Sequence, residues 1–433
     1  MSNKNIFFCK KEDDQKNNYT PEAVIKLINE KVLKFDEFTP KYILITTLVT
    51  CFICYFYEML YGLGGPDTLC EGVYIYHNAA TSTGQARWMI RFLNKAFGNN
   101  LVMPALIIVG YCLMIGASVY IICRMLKMSK PLVQILLTAL MVSFPIVLHH
   151  FGFFYMALSF SFSFLSVIIG TMFIRKRKIY AFIIGTIFYL FMMGSYQAYI
   201  GAVSAFALIL FIYDLLNEEK IKTSVLNLVL CAASGFAACV INIPVSRIVM
   251  KIYHVAPSGR VTGFSIKDIF SNIGFSLKYS YVWFFSYFFK DILMRKKLYL
   301  CVFAIIFILV VLAVLKKNSE KGYINSLLAI LSVCVLPLAM NFLLVIMPKN
   351  GMRDILRYQY ILIYLLMFIL MEYIGDSVIN LILRYVSLAA IVVILLGNTV
   401  SANATAYAFK LCYDYTHQEM QLALDRVYTL DGY

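Results

Sequence analysis

From Tyr42 to Gly397 the chain is a series of apolar runs joined by short polar stretches. A bilayer core of about 30 Å takes about 20 apolar helical residues to cross. Inside lipid, every backbone N–H and C=O must find its partner within the segment, which leaves helices or closed barrels. The runs are too long and too continuous for barrel strands, so the pattern predicts a bundle of membrane helices. Composition agrees: 61% of residues are hydrophobic and 14% charged, against roughly 45–50% and about 25% in soluble domains. The net charge of +15 does not point to nucleic acid, because most Lys and Arg stand at the ends of apolar runs. There they orient helices across the bilayer.

Residues 1–41 are polar and Lys-rich and read as a cytosolic tail. Residues 42–397 read as the transmembrane unit, with a large outer loop at 62–100. Arg175-Lys176-Arg177-Lys178 is the strongest inside mark. The segment 251–297 is ambiguous: its aromatic run Tyr279–Phe289 fits either a full span or an interfacial or re-entrant helix. With the interfacial choice, the reading is an all-α polytopic protein of about eleven transmembrane helices with its C-terminus outside. Residues 398–433 form an extracytoplasmic helical segment that ends without terminal punctuation, as in a chain cut from a longer one. No P-loop, GxGxxG after a strand, or GxSxG occurs, and the polar parts are too short for a nucleotide-binding domain.

The 62–100 loop is the longest polar interruption in the first half of the chain. Gly64-Gly65-Pro66 ends the first helix and Pro66 suits the first turn of a second. Asp67 then lies in that first turn with Glu71 four residues on, both on one face. Arg87, Arg91 and Lys95 recur at helical spacing, with Trp88 on the apolar side. Two readings stand: an acidic cap followed by an interfacial helix on phospholipid headgroups, or a site for an anionic, lipid-linked substrate. Arg260, Arg353 and Arg357 also fall on the predicted outer side, against the positive-inside tendency. A guanidinium binds phosphate bidentately, so these arginines mark either a phosphate site or ordinary headgroup contacts. His77 in the loop, and Tyr196 with Gln197 at an outer turn, are either sugar-binding groups or caps. His149 and His150 read chiefly as polar punctuation.

Pro66-Asp67, Cys70-Glu71-Gly72, Tyr76, Asn78-Ala79 and Arg87-Trp88 together resemble a known pattern, continued by Ser195-Tyr196-Gln197-Ala198-Tyr199 and Arg353…Arg357-Tyr358. The resemblance is to bacterial membrane glucosyltransferases of the O-antigen-modifying type, within the broad GT-C superfamily. It implies a GT-C-like fold in the bacterial inner membrane. It also implies transfer of a sugar, glucose above all, from an undecaprenyl-phosphate carrier to a cell-surface polysaccharide on the outer face. The essential acid of the family's first outer loop maps onto Asp67. The second acid that often follows it is Thr68 here, which leaves Glu71 as helper. Family members differ in their use of a divalent metal, and one Asp and one Glu leave that open. The alternative is a transporter or flippase for lipid-linked sugars. Such proteins tend to place polar groups at mid-membrane in repeated halves, and this sequence shows neither.

Overall fold

The computed structural model describes residues 40–62, 80–96, 103–217, 220–258, 270–289, 295–321, 323–346, 353–374 and 377–429. These residues form helices only: α1 (Pro40–Tyr61), α2 (Ala80–Gly84), α3 (Met89–Ala96), α4 (Pro104–Met125), α5 (Pro131–Ser143), α6 (Ile146–Phe151), α7 (Phe154–Ile174) and α8 (Ile179–Ser195), then α9 (Ile200–Leu216), α10 (Ile221–Ile252), α11 (Ile273–Phe289), α12 (Arg295–Lys321), α13 (Tyr323–Met340), α14 (Phe342–Ile346), α15 (Leu362–Tyr373) and α16 (Val378–Tyr428). Six of the apolar stretches are long enough to cross a membrane: α1, α4, α7, the stretch Gln197–Leu216 that contains α9, α10 and α16. Five shorter apolar helical stretches lie in α5, α8, α12, α13 and Tyr358–Tyr373.

Proline sets many of the boundaries. Pro104 and Pro131 occupy the first turns of α4 and α5, where a missing N–H costs nothing. Pro145 separates α5 from α6, so the third apolar run is two helices rather than the single span read from hydropathy. Asn341 divides α13 from α14. Its side-chain amide donates to Ser280 O and Pro337 O, and its Oδ1 accepts from the Tyr360 hydroxyl. Hydroxyls within the helices donate back to carbonyls one turn earlier, as Thr47 does to Ile43 O, Thr138 to Gln134 O and Thr171 to Val167 O. This keeps them satisfied in an apolar setting.

The bundle has two chemically distinct ends. One gathers Arg124, Lys127, Lys130, Arg175–Lys178, Lys220 and Lys316 and is the basic end. There Arg175 clamps Asp214 of α9 with two bonds, Nη1 to Oδ2 at 2.9 Å and Nη2 to Oδ1 at 2.7 Å. Asn227 of α10 adds a third bond to the same carboxylate. Asp214 is 1% exposed, and a buried carboxylate persists only when paired in this way.

The other end carries the loops between α1 and α4, α5 and α7, α8 and α9, and α14 and α15. Helix α11 keeps both its ends here. Ser276 donates to Leu344 O, and the Tyr287 ring meets Phe144 and Tyr360.

Helices α7 and α8 pack through Gly170 and Gly185. A Cβ on Gly185 would lie 2.5 Å from Ile174 Cγ1 and 2.8 Å from Gly170 O, a backbone atom that cannot yield. Small residues permit such contacts between membrane helices. Gly185→Leu is expected to cost about 1–3 kcal/mol by overpacking, seen as a lower melting temperature in detergent. An unchanged melting temperature would contradict the packing.

Two boundaries differ from the sequence reading. No break occurs at Gly397–Asn398: α16 runs for 51 residues through both, since one glycine is a tolerable helix cost. Helix α3 begins at Met89, so Arg87 and Trp88 lie in the turn before it rather than on its face. Ala86, with φ 63°, makes that turn.

Candidate active site

The described part of the first loop is bolted to the bundle by its neighbours. Gln197, just past the end of α8, donates from Nε2 to Gln85 O at 3.0 Å and Ala86 O at 3.2 Å. Its Oε1 accepts from Arg87 Nε at 3.3 Å. One side-chain amide thus holds three consecutive residues. The Arg87 guanidinium lies 4.5 Å over the Tyr196 ring, a cation–π contact, with Nη1 near Met156 Sδ. Trp88 is buried, its indole N–H donating to Asn242 Oδ1 at 2.8 Å and its ring packed on Gly194, where any Cβ would collide with it. Ser258 N–H donates to Gly84 O, tying the segment after α10 to the same loop.

Arg91 is different. Its guanidinium lies 3.5 Å over the Tyr253 ring, yet Nε and Nη1 are buried without a hydrogen-bond partner among the described residues. A guanidinium has five N–H donors and cannot shed its charge. Buried donors of this kind are nearly always paired, so this one is open to an acceptor that the described residues do not supply.

The second half of the site is the loop before α15. Arg357 Nη1 meets Asp354 Oδ1 at 2.7 Å, and Arg353 is exposed. His150, in the short helix α6, anchors this loop. Its Nε2 donates to Ile355 O at 3.1 Å. Burial holds the ring neutral, so Nδ1 accepts from the Tyr111 hydroxyl at 2.8 Å. Burial pushes its pKa down to about 3, the Ile355 carbonyl working against this and His149 reinforcing it. Burial also lowers His149, opposed by Asp354 and helped by Arg357. His150 stacks on Phe160 at 4.1 Å, Phe160 meets the edge of Tyr196, and Tyr196 lies under Arg87. The two loops are thus linked by a continuous aromatic row.

Of the residues singled out in the sequence, Arg87, Tyr196 and Gln197 come together, and Trp88 and Arg91 adjoin them. Arg353 and Arg357 sit on the second loop. Asp67, Glu71, His77 and Arg260 lie outside the described residues. Gln197 and Tyr196 are engaged with the first loop itself. The sequence reading missed Glu58, a carboxylate 1% exposed in the last turn of α1. A carboxylate so close to the end of an apolar run was the available signal. Asn242, Tyr253, Tyr111 and Asp354 were also missed, each without a motif to mark it. No cluster of three or more His, Cys, Asp or Glu suited to a metal occurs among the described residues.

The family model for glucosyl transferase GtrII matches residues 71–370. That span begins inside the first loop, four residues past Asp67, and includes the second loop and every helix between the two. The chain belongs to this family. No curated protein and no solved structure matches it. As a GtrII family member the chain is a glycosyltransferase, so a sugar donor and an acceptor must meet on it. Arg91, Gln197 and the Arg357 loop all fall within the matched span.

Proposed function

We propose that this GtrII family member transfers glucose from an undecaprenyl-phosphate carrier to a cell-surface polysaccharide, on the outer face of the bacterial inner membrane. The observation that carries this reading is Arg91. A half-buried guanidinium in the first loop, with two buried nitrogens unpaired among the described residues, suits a phosphate oxygen, which it binds strongly in a partly dry setting. On this reading each of the six long and five shorter apolar stretches crosses the membrane, giving about eleven crossings in a GT-C-like bundle, with α11 lying in the interface. The positive-inside tendency puts the basic end in the cytosol and the loop end outside.

In this mechanism Asp67 takes the proton from the acceptor hydroxyl, helped by Glu71. The acceptor oxygen attacks the anomeric carbon as the bond from that carbon to the phosphate oxygen breaks, and undecaprenyl phosphate leaves. A single displacement inverts the anomeric centre. Arg91, with Arg87 and the Arg353–Arg357 loop, stabilises the phosphate as its charge develops. His77, Arg260, Trp88, Tyr196 and Gln197 shape the sugar and carrier sites, the last three by holding the first loop in place.

The test is a transfer assay with purified protein, labelled undecaprenyl-phosphate glucose and host polysaccharide. The wild type is expected to move label to polysaccharide, and Asp67→Asn to lose this while expressing and melting normally. A wild-type rate in Asp67→Asn would remove Asp67 as the base.

A further inference from the structure

At the basic end, far from the loops, a cavity of about 620 Å³ opens where α4, α9, α12 and α15 finish. Its polar lining is Lys127, Tyr213, Asn217, Lys316, Glu372 and Tyr373. Its size is that of a small-molecule site.

Lys316 donates one N–H to Tyr373 O at 2.8 Å and lies over the Tyr373 ring at 4.6 Å. An ammonium has three donors, so two remain for a ligand. The Lys127 side chain makes no hydrogen bond or ion pair among the described residues, while its backbone N–H donates to Arg124 O at 3.4 Å. Its backbone is at φ 54°, in the turn that closes α4, with Met128 N–H donating to Cys123 O at 2.9 Å. That position ordinarily takes glycine, and a side chain held there is strained. Such strain concentrates where a side chain is needed for function.

Two lysines stand in the lining against one carboxylate, Glu372, so its net charge is positive. Two of the four helix ends are partly answered too: Lys316 takes Tyr373 O of α15, and Asn217 Nδ2 donates to Tyr213 O of α9 at 3.0 Å. The lining that is left is cationic, with amide and phenol groups beside it.

We infer that this cavity binds a phosphate ester bearing free hydroxyls. The two lysines hold the phosphate, and Tyr213, Asn217 and Tyr373 face the hydroxyls. A glycerophosphate headgroup in the adjoining leaflet and a soluble polyol phosphate share this chemistry. Only the name of the leaflet, inner, rests on the orientation proposed above. The binding itself is independent of glucosyl transfer.

The test uses the full chain in neutral detergent. It is titrated separately with dihexanoylphosphatidylglycerol, dihexanoylphosphatidylcholine and glycerol 1-phosphate, and binding is read by thermophoresis. Saturable binding of the phosphatidylglycerol is expected, about tenfold weaker in Lys316→Gln and in Lys127→Gly. Lys127→Gly relieves the backbone strain, so its melting temperature should hold or rise while binding falls, which a merely structural lysine would not produce. Glycerol 1-phosphate binding as tightly as the lipid would assign the site to a soluble ester. Tighter binding of the lipid would assign it to the membrane. Equal binding of phosphatidylcholine, affinities unchanged in both variants, or no saturable binding of either phosphate ester would overturn the inference.

Discussion

Arg91→Ala is expected to lower the rate of glucosyl transfer by about 10²–10³-fold, the usual cost of removing one preorganised group aimed at developing charge. The fold itself should suffer little, because the Arg91 guanidinium makes no hydrogen bond within the described protein. Its one evident partner is the Tyr253 ring, an interaction worth about 0.5–2 kcal/mol. Arg91→Lys keeps the charge and loses the fork, and should fall between the two. Tyr253→Phe keeps the ring and should stay near wild type. If Arg91 works on the leaving phosphate, the loss appears in kcat and kcat/KM together. A wild-type rate in Arg91→Ala would mean that the phosphate is held elsewhere, and the paired Arg357 would then be the next residue to test.

Asp214→Ala should be the most damaging change away from the loops. It strips a buried carboxylate from the two bonds of Arg175 and the bond of Asn227, which together join α7, α9 and α10. Removing one partner of a buried pair costs about 3–5 kcal/mol, most of it from the charge left behind. The measurement is melting temperature and monodispersity in detergent. The double change Arg175→Met with Asp214→Leu should recover much of the loss, because neither charge is then stranded. Equal instability in the double variant would show that the site needs charge rather than packing.

The apolar runs made the helices legible. Run length alone put spans at Tyr42–Tyr61 and Val225–Val249, within a few residues of α1 and α10. Periodicity could not reveal how loops attach. Nothing local says that Gln197 grips residues 85–87, since the two segments are more than a hundred positions apart and meet only through tertiary packing. Ala86 is the plainest case: an alanine reads as helix, yet here it adopts φ 63°, and the turn it makes moves Arg87 and Trp88 off the expected helix face. Glu58 was hidden for the opposite reason. A single carboxylate in an apolar run barely alters hydropathy, though burying one is costly and therefore informative. His150 looked like loop punctuation because its partners, Tyr111 and Ile355 O, come from other parts of the chain.

The most direct test of the account is the identity of the donor. Purified protein in sealed proteoliposomes is given host polysaccharide and either undecaprenyl-phosphate [¹⁴C]glucose or UDP-[¹⁴C]glucose, and the label in polysaccharide is counted. The account predicts transfer from the lipid donor alone, from the leaflet that faces the loop end. Transfer from UDP-glucose would contradict it. So would lipid-borne label that crosses the bilayer without reaching polysaccharide, which is the behaviour of a flippase.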